Sequence, residues 1–177
     1  IIYKRGLQFI MSTQTTINVY GNNELDDFAE KLLSHLGLDD ETTIDISYVA
    51  KKLGLNVYSA NFENNTISGY IKFENGEKNI YINNTQSVQR QRFTVAHEIA
   101  HYILHRELLE QNGGTPMFRG GNSNFAERQA NRLAAAMLMP KNRVIRMFKT
   151  IKDVNRMAQL FWVSYDAMAN RISSLGL

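Results

Sequence analysis

Apolar residues recur at helical spacing in two segments near the beginning of the chain. From Glu24 to Leu38 they lie three or four positions apart, and Gly37 and Asp39 end the pattern. The same spacing returns from Asp45 to Leu53, and Gly54 follows as a C-cap residue. We therefore predict two amphipathic helices in this part of the chain.

β-Branched and aromatic residues dominate the next three segments, which are Asn56 to Phe62, Ser68 to Phe73 and Asn79 to Ile82. The pair Asn75-Gly76 lies between the last two and is typical of a tight hairpin turn. These segments predict a small, largely antiparallel sheet.

The second half of the chain is predicted to be helical. Residues Gln91 to His105 are apolar on almost every side of a helix, which is typical of a buried helix. Gln111 to Asn124 is glycine-rich and polar without a period, so we expect an exposed, mobile loop. Phe125 to Met139 returns to helix and ends at Pro140. Three short stretches follow that are polar enough to be surface helices: Val144 to Phe148, Val154 to Phe161 and Tyr165 to Ile172.

The order of these elements predicts an α+β fold, in which a small antiparallel sheet packs on a helical core. We expect one main domain over residues 21–140 and a C-terminal helical subdomain over residues 141–177. Residues 1–20 are expected to be disordered or of artificial origin, because the chain opens with Ile1 and Met11 resembles a natural start.

Composition narrows the class of protein. The chain has 177 residues, of which 44% are hydrophobic and 21% charged, as in an ordinary globular protein. No apolar stretch approaches the length of a bilayer span, so we expect no membrane association. The absence of cysteine suits a reducing, cytoplasmic location and leaves His, Asp and Glu as the available metal ligands.

Basic residues concentrate at the C-terminal end. From Lys141 onward there are seven Lys or Arg against two Asp, a balance of +5, whereas the rest of the chain has 13 against 15, or −2. Val154 to Phe161 and Tyr165 to Ile172 also have helix-turn-helix spacing, in which Tyr165, Asn170 and Arg171 are the candidate base-reading residues. A DNA-binding regulator is therefore one alternative, although solvated faces of ordinary helices carry similar charge.

An HExxH motif lies within the predicted buried helix, from His97 to His101. Positions i and i+4 of a helix differ by only about 40° in direction, so both imidazoles can bind one metal ion. Glu98 points about 100° away from His97, which is awkward for a ligand but within reach of a water on the same ion. We predict His97 and His101 as metal ligands and Glu98 as the general base of peptide hydrolysis. The alternative is a pair of histidines hydrogen-bonded within a core.

A catalytic zinc normally has a third protein ligand. The class HExxHxxGxxH is excluded, because Leu104 and Glu107 occupy its glycine and histidine positions. Glu107 and Glu110 project about 240° and 180° from His101 if the helix continues, so neither can reach the metal. Glu127 remains, because it lies in an apolar stripe of its own helix where a carboxylate needs a partner.

Other interpretations of these polar residues stay open. Glu127 could instead form a buried pair with Arg92 or Arg132, or serve as a favourable charge near a helix N-terminus. His105 is either a second contact at the site or a surface histidine, and Asn131 is either an orienting group or a surface amide. His35 belongs to another amphipathic helix and is expected to be solvated.

The segment from Arg92 to His105, and the segment from Glu127 to Asn131 that continues to Leu138-Met139-Pro140, resemble the ImmA/IrrE family of metallopeptidases. Members of this family are small proteases that cleave helix-turn-helix repressors. A looser likeness includes Ile80 to Asn83 and extends over most of the chain from about Ile44. Leu133 and Met137 replace the phenylalanine and leucine that are common in the family, and neither belongs to the predicted site.

The resemblance implies a zincin-like domain in which His97, His101 and Glu127 bind zinc and Glu98 is the catalytic glutamate. It further implies a zinc-dependent endopeptidase whose substrate is a helix-turn-helix repressor, so that cleavage switches on stress-response or mobile-element genes. The same ligand types also accept Mn²⁺. The alternative is a regulatory protein of the toxin/antitoxin or anti-repressor type, which binds DNA or a partner and does not use its metal for catalysis.

Peptide substrates often add a strand to an exposed sheet edge. Because the last predicted strand directly precedes the HExxH helix, we expect Tyr81 to Asn84 to line the substrate cleft.

Overall fold

The computed structural model describes residues 21–64, 66–111 and 122–177, which form eight helices and three strands. The helices are α1 (Asn22–His35), α2 (Ile46–Lys52), α3 (Val88–Leu104), α4 (Arg106–Gln111), α5 (Asn122–Leu138), α6 (Lys141–Ile151), α7 (Val154–Phe161) and α8 (Tyr165–Ser174). The strands are β1 (Asn56–Ala60), β2 (Gly69–Glu74) and β3 (Glu77–Asn83). The predicted α+β class is confirmed.

The two predicted N-terminal helices are both present, and local capping explains where they begin and end. The Glu24 carboxylate accepts a hydrogen bond from the Gly21 backbone N–H at 2.8 Å at the start of α1. Asp45 accepts one from the Tyr48 N–H at 3.0 Å at the start of α2. Gly54 follows α2 with a φ of 75°, a left-handed conformation that other residues adopt at a cost.

The sheet has the strand order β1-β3-β2. Strands β2 and β3 form the predicted hairpin, in which Asn75 and Gly76 have φ values of 52° and 79°. Strand β1, however, pairs with β3 in parallel, so the sheet is mixed where an antiparallel one was predicted. After β1 the chain crosses to the far side of the sheet to form β2, and β3 then returns between them in the direction of β1.

This strand order determines which strands lie at the edges of the sheet. Tyr81 of β3 is paired with Tyr58 of β1 on one side and with Tyr70 of β2 on the other. The prediction that Tyr81 to Asn84 forms an exposed edge is therefore wrong for the paired residues, because β3 is the central strand. The edge strands are β1 and β2.

Helix α3 lies between the sheet and α5, which explains why its sequence is apolar on almost every side. Val95, Ala96, Ile99 and Ala100 are buried in one continuous core. Strand β2 comes very close to the helix at Gly69, where an added Cβ would lie 2.5 Å from Thr94 Cγ2 and 2.6 Å from the Tyr81 carbonyl oxygen. The absence of a side chain at Gly69 is thus what lets β2 pack against α3.

The C-terminal helices are not the surface elements that their polarity suggested. Val144, Met157, Phe161 and Met168 are buried and belong to the same hydrophobic core as α1, α3 and α5. Each helix is amphipathic, so a single apolar stripe is enough to bury it despite a polar average. The division of the chain near residue 140 stays a prediction.

Some predictions concern residues that lie partly or wholly outside the described part of the chain. Of the predicted loop from Gln111 to Asn124, Gln111 ends α4 and Asn122 begins α5, while residues 112–121 lie outside the described part. The expectation for residues 1–20 also lies outside it. In the described ranges, no helix has the length and apolar character needed to cross a bilayer.

A candidate metal centre between helices α3 and α5

Three side chains predicted from the sequence meet where α3 packs on α5. His97 Nε2 lies 3.0 Å from His101 Nε2. The Glu127 carboxylate completes a triangle, with Oε1 at 3.2 Å from His101 Nε2 and Oε2 at 3.4 Å from His97 Nε2. All three can therefore offer one ligand atom each to a single metal ion.

The triangle has the size that a tetrahedral zinc site requires. Bonds of about 2.0–2.1 Å from zinc to nitrogen or oxygen place neighbouring ligand atoms about 3.3–3.4 Å apart. The His97 Nδ1 atom lies 2.9 Å from Asn131 Oδ1, which can only accept a hydrogen bond, so Nδ1 carries the hydrogen and Nε2 the lone pair. A lone pair of His97 thus faces a carboxylate and a second imidazole, an arrangement that a cation stabilises.

The protonation states also fit metal binding. Burial, followed by the neighbouring His101, lowers the pKa of His97 to about 4, so this ring is neutral at pH 7. The hydrogen bond between Glu127 and His101 lowers the pKa of Glu127, which keeps that group a carboxylate. Neutral imidazole and carboxylate are the forms in which these side chains bind zinc.

The surroundings of Glu127 differ from the sequence-based expectation. Its side chain is 42% exposed rather than buried in an apolar stripe. The alternative ion pairs are not formed. Arg92 donates to the carbonyl oxygens of Trp162 and Ile44, and Arg132 lies 3.5 Å from Asp26.

Glu98 lies on the side of α3 that faces the sheet and is only 5% exposed. Burial is the main cause that raises its pKa to about 7, and a hydrogen bond from the backbone of Ile71 acts in the opposite direction. Its Oε2 atom has no hydrogen-bond partner among the described residues. A carboxyl group with a pKa near neutrality, placed beside the candidate metal ligands, can take up and return a proton.

Among the described residues, part of the β2 backbone next to Glu98 has no strand partner. The Asn83 N–H donates to the Ser68 carbonyl at 2.8 Å, and in an antiparallel pair such bonds recur at every second residue. Gly69, Ile71 and Phe73 therefore direct their backbone N–H and C=O groups away from β3, towards the free edge. Glu98 lies beside this edge, since it accepts the hydrogen bond from Ile71.

The other polar residues considered in the sequence analysis either contact a predicted ligand or lie away from the site. Asn131 and His105 both contact a predicted ligand, with His105 Nδ1 lying 3.1 Å from His101 Nδ1. Glu110 instead pairs with Arg106 at 2.7 Å, in agreement with its exclusion as a ligand. His35 lies on α1 and is half-buried, so the expectation that it is solvated is wrong. Burial lowers the pKa of His105 to about 4, so this ring is neutral as well.

Gln129 is a contact that the sequence-based argument missed. Its Oε1 atom lies 3.3 Å from His105 Nε2. On a helical projection Gln129 points away from Glu127, and His105 follows the last residue of α3, so the periodicity of one helix could not relate them.

A cavity of about 850 Å³ adjoins the candidate metal centre. It lies between the N-terminal half of α3, α5 and α8, and it reaches Phe93 and Asn131, both of which contact His97. Arg90, Arg128 and Asp166 are among its charged lining residues. Its size is that of a ligand or side-chain pocket.

Known proteins share this fold and part of this sequence. A transcriptional regulator of Mycobacterium tuberculosis has a structure that matches with a TM-score of 0.67 at 16% sequence identity, which establishes a likeness of fold. The match covers 98% of this chain and 52% of that one, so this chain spans about half of the regulator's length. A comparison with curated protein sequences gives no match.

The family comparison covers the HExxH helix, the Glu127 helix and the C-terminal helices. Residues 50–173 match the model of peptidase family M78, described as the IrrE N-terminal-like domain. This match includes well over half of the chain and confirms the resemblance inferred from the sequence motifs. The protein therefore belongs to the M78 peptidase family, with an IrrE N-terminal-like domain that contains the candidate metal centre.

Proposed function

We propose that this protein is a zinc-dependent endopeptidase that uses Glu98 as its catalytic base. The observation that carries the proposal is the triangle of ligand atoms from His97, His101 and Glu127, with a buried carboxyl group beside it. Membership of a peptidase family supports the reaction class. A purely structural zinc site would need no neighbouring base, whereas peptide hydrolysis does.

The proposed mechanism assigns one task to each side chain. A zinc ion held by His97, His101 and Glu127 would supply Lewis-acid chemistry, which polarises a carbonyl and makes water more acidic. Glu98 accepts the proton of the attacking water and passes it to the departing amine. Its burial raises its pKa above the ordinary value of a glutamate, which favours holding a proton between the two steps.

We further propose that the peptide lies along the free edge of β2. The outward backbone groups of Gly69 and Phe73, together with the Ile71 carbonyl, can pair with an extended chain, as in β-augmentation. The hydrogen bond from Ile71 to Glu98 brings this edge next to the proposed base.

The proposed substrate is a helix-turn-helix transcriptional repressor, whose cleavage would release stress-response or mobile-element genes. This part rests on the resemblance to the ImmA/IrrE family. The similarity to a transcriptional regulator is compatible with a role in gene regulation. A cytoplasmic location follows from the same proposal, and Mn²⁺ is the alternative metal for these ligand types.

The direct test is to incubate the protein with helix-turn-helix repressors encoded beside its gene. Cleavage that needs zinc, stops with a chelator and is lost in Glu98→Gln is the expected result. Glu110→Gln is the matched control, because Glu110 lies outside the site and pairs only with Arg106 among the described contacts. Equal cleavage by the parent and by Glu98→Gln would remove Glu98 from its role.

The DNA-binding alternative receives little support from the C-terminal helices. Arg171, one of the three candidate base-reading residues, is 2% exposed, and its guanidinium donates to Asp26 and to the Met139 carbonyl. Arg143 is also buried, with hydrogen bonds to backbone carbonyls of Leu38 and Asp39. Part of the C-terminal positive charge therefore serves internal packing.

A further inference from the structure

A hydrogen-bonded path leads from His101 in the direction opposite to the candidate metal. His101 Nδ1 lies 3.1 Å from His105 Nδ1, and His105 Nε2 lies 3.3 Å from Gln129 Oε1. All three side chains are at least nine-tenths buried. Burial makes each unmatched donor costly, so the pattern of donors and acceptors along this path is constrained.

Metal binding fixes the direction of the path. If His101 binds the ion through Nε2, that nitrogen has no hydrogen, so Nδ1 must carry the hydrogen and donate it. His105 Nδ1 is then the acceptor, which places the hydrogen of that ring on Nε2. The group facing His105 Nε2 must accept, and Gln129 Oε1 does so.

The orientation of Gln129 agrees with this direction. Its Nε2 atom is buried and has no hydrogen-bond partner among the described residues. A reversed amide would place this donor against the His105 N–H, leaving two donors facing each other. The contact with His105 is thus the interaction that favours the observed orientation.

We propose that His105 and Gln129 are positioning residues, which hold the His101 ring so that its Nε2 lone pair faces the ion. The inference rests on the proposed function of this site as a zinc centre. Asn131 contacts His97 directly. His105 contacts His101, and Gln129 in turn contacts His105. Helix α5 therefore supplies the Glu127 ligand, Asn131 beside His97, and Gln129 at the far end of the path from His101.

The positions of these residues explain why His105 lies between His101 and Gln129. Residue 105 is four positions after His101 and its backbone N–H still donates to the His101 carbonyl at 2.8 Å, so the two rings lie side by side. Gln129 is two residues after Glu127 on α5 and points to nearly the opposite side of that helix. The His105 ring bridges the gap between the two.

Zinc affinity, measured by competition with a chromogenic chelator on the full chain, tests this inference. In His105→Leu we expect zinc to bind about 10–100-fold more weakly, because the His101 N–H loses its acceptor. His105→Gln presents an oxygen in a similar place and should restore most of the affinity. Arg106→Met, at the next and exposed residue, is the control and should bind like the parent.

A spectroscopic measurement separates positioning from general loss of structure. The visible absorption of the cobalt-substituted protein should change in His105→Leu and return towards the parent spectrum in His105→Gln. If His105→Leu does not fold, Gln129→Met takes its place, because it keeps a similar shape and removes the acceptor. The same direction of change, about 10-fold weaker zinc binding, is expected there.

The outcomes distinguish this inference from the proposed function. If a folded His105→Leu or Gln129→Met binds zinc as tightly as the parent and gives the parent cobalt spectrum, the positioning role is wrong, and the peptidase assignment stands. If the parent itself binds no zinc, both fail together. Weaker binding that His105→Gln does not restore would also contradict the role as hydrogen-bond acceptor.

Discussion

At the scale of single residues, the candidate site is a set of side chains whose donors and acceptors are matched. His97 donates through Nδ1 to Asn131, which leaves its Nε2 lone pair for the ion. The Glu127 carboxylate lies within 3.4 Å of both imidazoles. Asn131 is the group on which the His97 orientation depends most directly, since the bond is short and no intermediate lies between them.

Replacement of Asn131 tests that dependence. Asn131→Leu removes the acceptor, and we expect zinc affinity to fall about 10–100-fold. Asn131→Asp keeps an oxygen in the same place and should bind zinc at least as well as the parent, because a carboxylate is a stronger acceptor. Isothermal titration with a zinc buffer measures both variants, and equal affinities for Leu and Asp would contradict the account.

At the residue scale, sequence reasoning predicted the three side chains that the structure brings together, while their roles stay predictions. His97 and His101 could be paired from the sequence because both lie on one helix whose period is known. Glu107 and Glu110 were excluded on the same geometric grounds, and Glu127 was predicted from its place in an apolar stripe, although its side chain is 42% exposed in the structure. Gln129 could not be found, because its contact with His105 depends on how two helices pack and on a residue beyond a helix end.

At the scale of elements, the site depends on how closely β2 and α5 pack against α3. Glu98 is buried between the helix and β2, and the Ile71 backbone contacts it. Gly69 permits this approach, since any Cβ there would overlap Thr94 and the Tyr81 backbone. The distance between β2 and α3 is therefore set by a residue that has no side chain.

Gly69→Ala should separate β2 from α3. Because one of the two close atoms belongs to the backbone, side-chain adjustment alone cannot relieve the overlap. We expect a loss of about 1–3 kcal/mol in the free energy of unfolding, measured by urea denaturation, together with reduced peptidase activity. Lys72→Ala, at an exposed position of the same strand, is the control and should change stability little. Unchanged stability in Gly69→Ala would show that the packing is looser than described.

The elements were predicted unevenly, for physical reasons. Helices α1 and α2 followed from apolar periodicity and from local caps such as Asp45, which act over a few residues. The hairpin followed from Asn75-Gly76. The parallel pairing of β1 with β3 did not, because it joins segments about 23 residues apart whose order in a sheet leaves no local signal.

At the scale of the whole molecule, a buried ionic network joins the first and last helices of the described residues. Asp26 of α1 is 1% exposed and lies 2.6 Å from the Arg171 guanidinium of α8. Arg132 of α5 lies 3.5 Å from the same carboxylate, and Arg171 also donates to the Met139 carbonyl just after α5. The helix that supplies Glu127 is thus held between the two ends of the described chain.

Asp26→Asn removes the only carboxylate that the described contacts place against Arg171 and Arg132. A buried charge that loses its partner typically costs about 3–5 kcal/mol, so we expect a large fall in the free energy of unfolding by urea denaturation. Lys72→Met breaks the solvent-screened pair with Glu74 and should change the free energy of unfolding little. Similar losses in the two variants would contradict the structural role of the network.

The central claim is that His97, His101 and Glu127 bind one zinc ion. A crystal structure of the zinc-loaded protein, with anomalous data collected on both sides of the zinc absorption edge, tests it most directly. We expect a single anomalous peak with the two Nε2 atoms and a Glu127 oxygen about 2.0–2.2 Å away. An ion bound elsewhere, or a Glu127 carboxylate turned away from a metal held by the histidines alone, would contradict the claim.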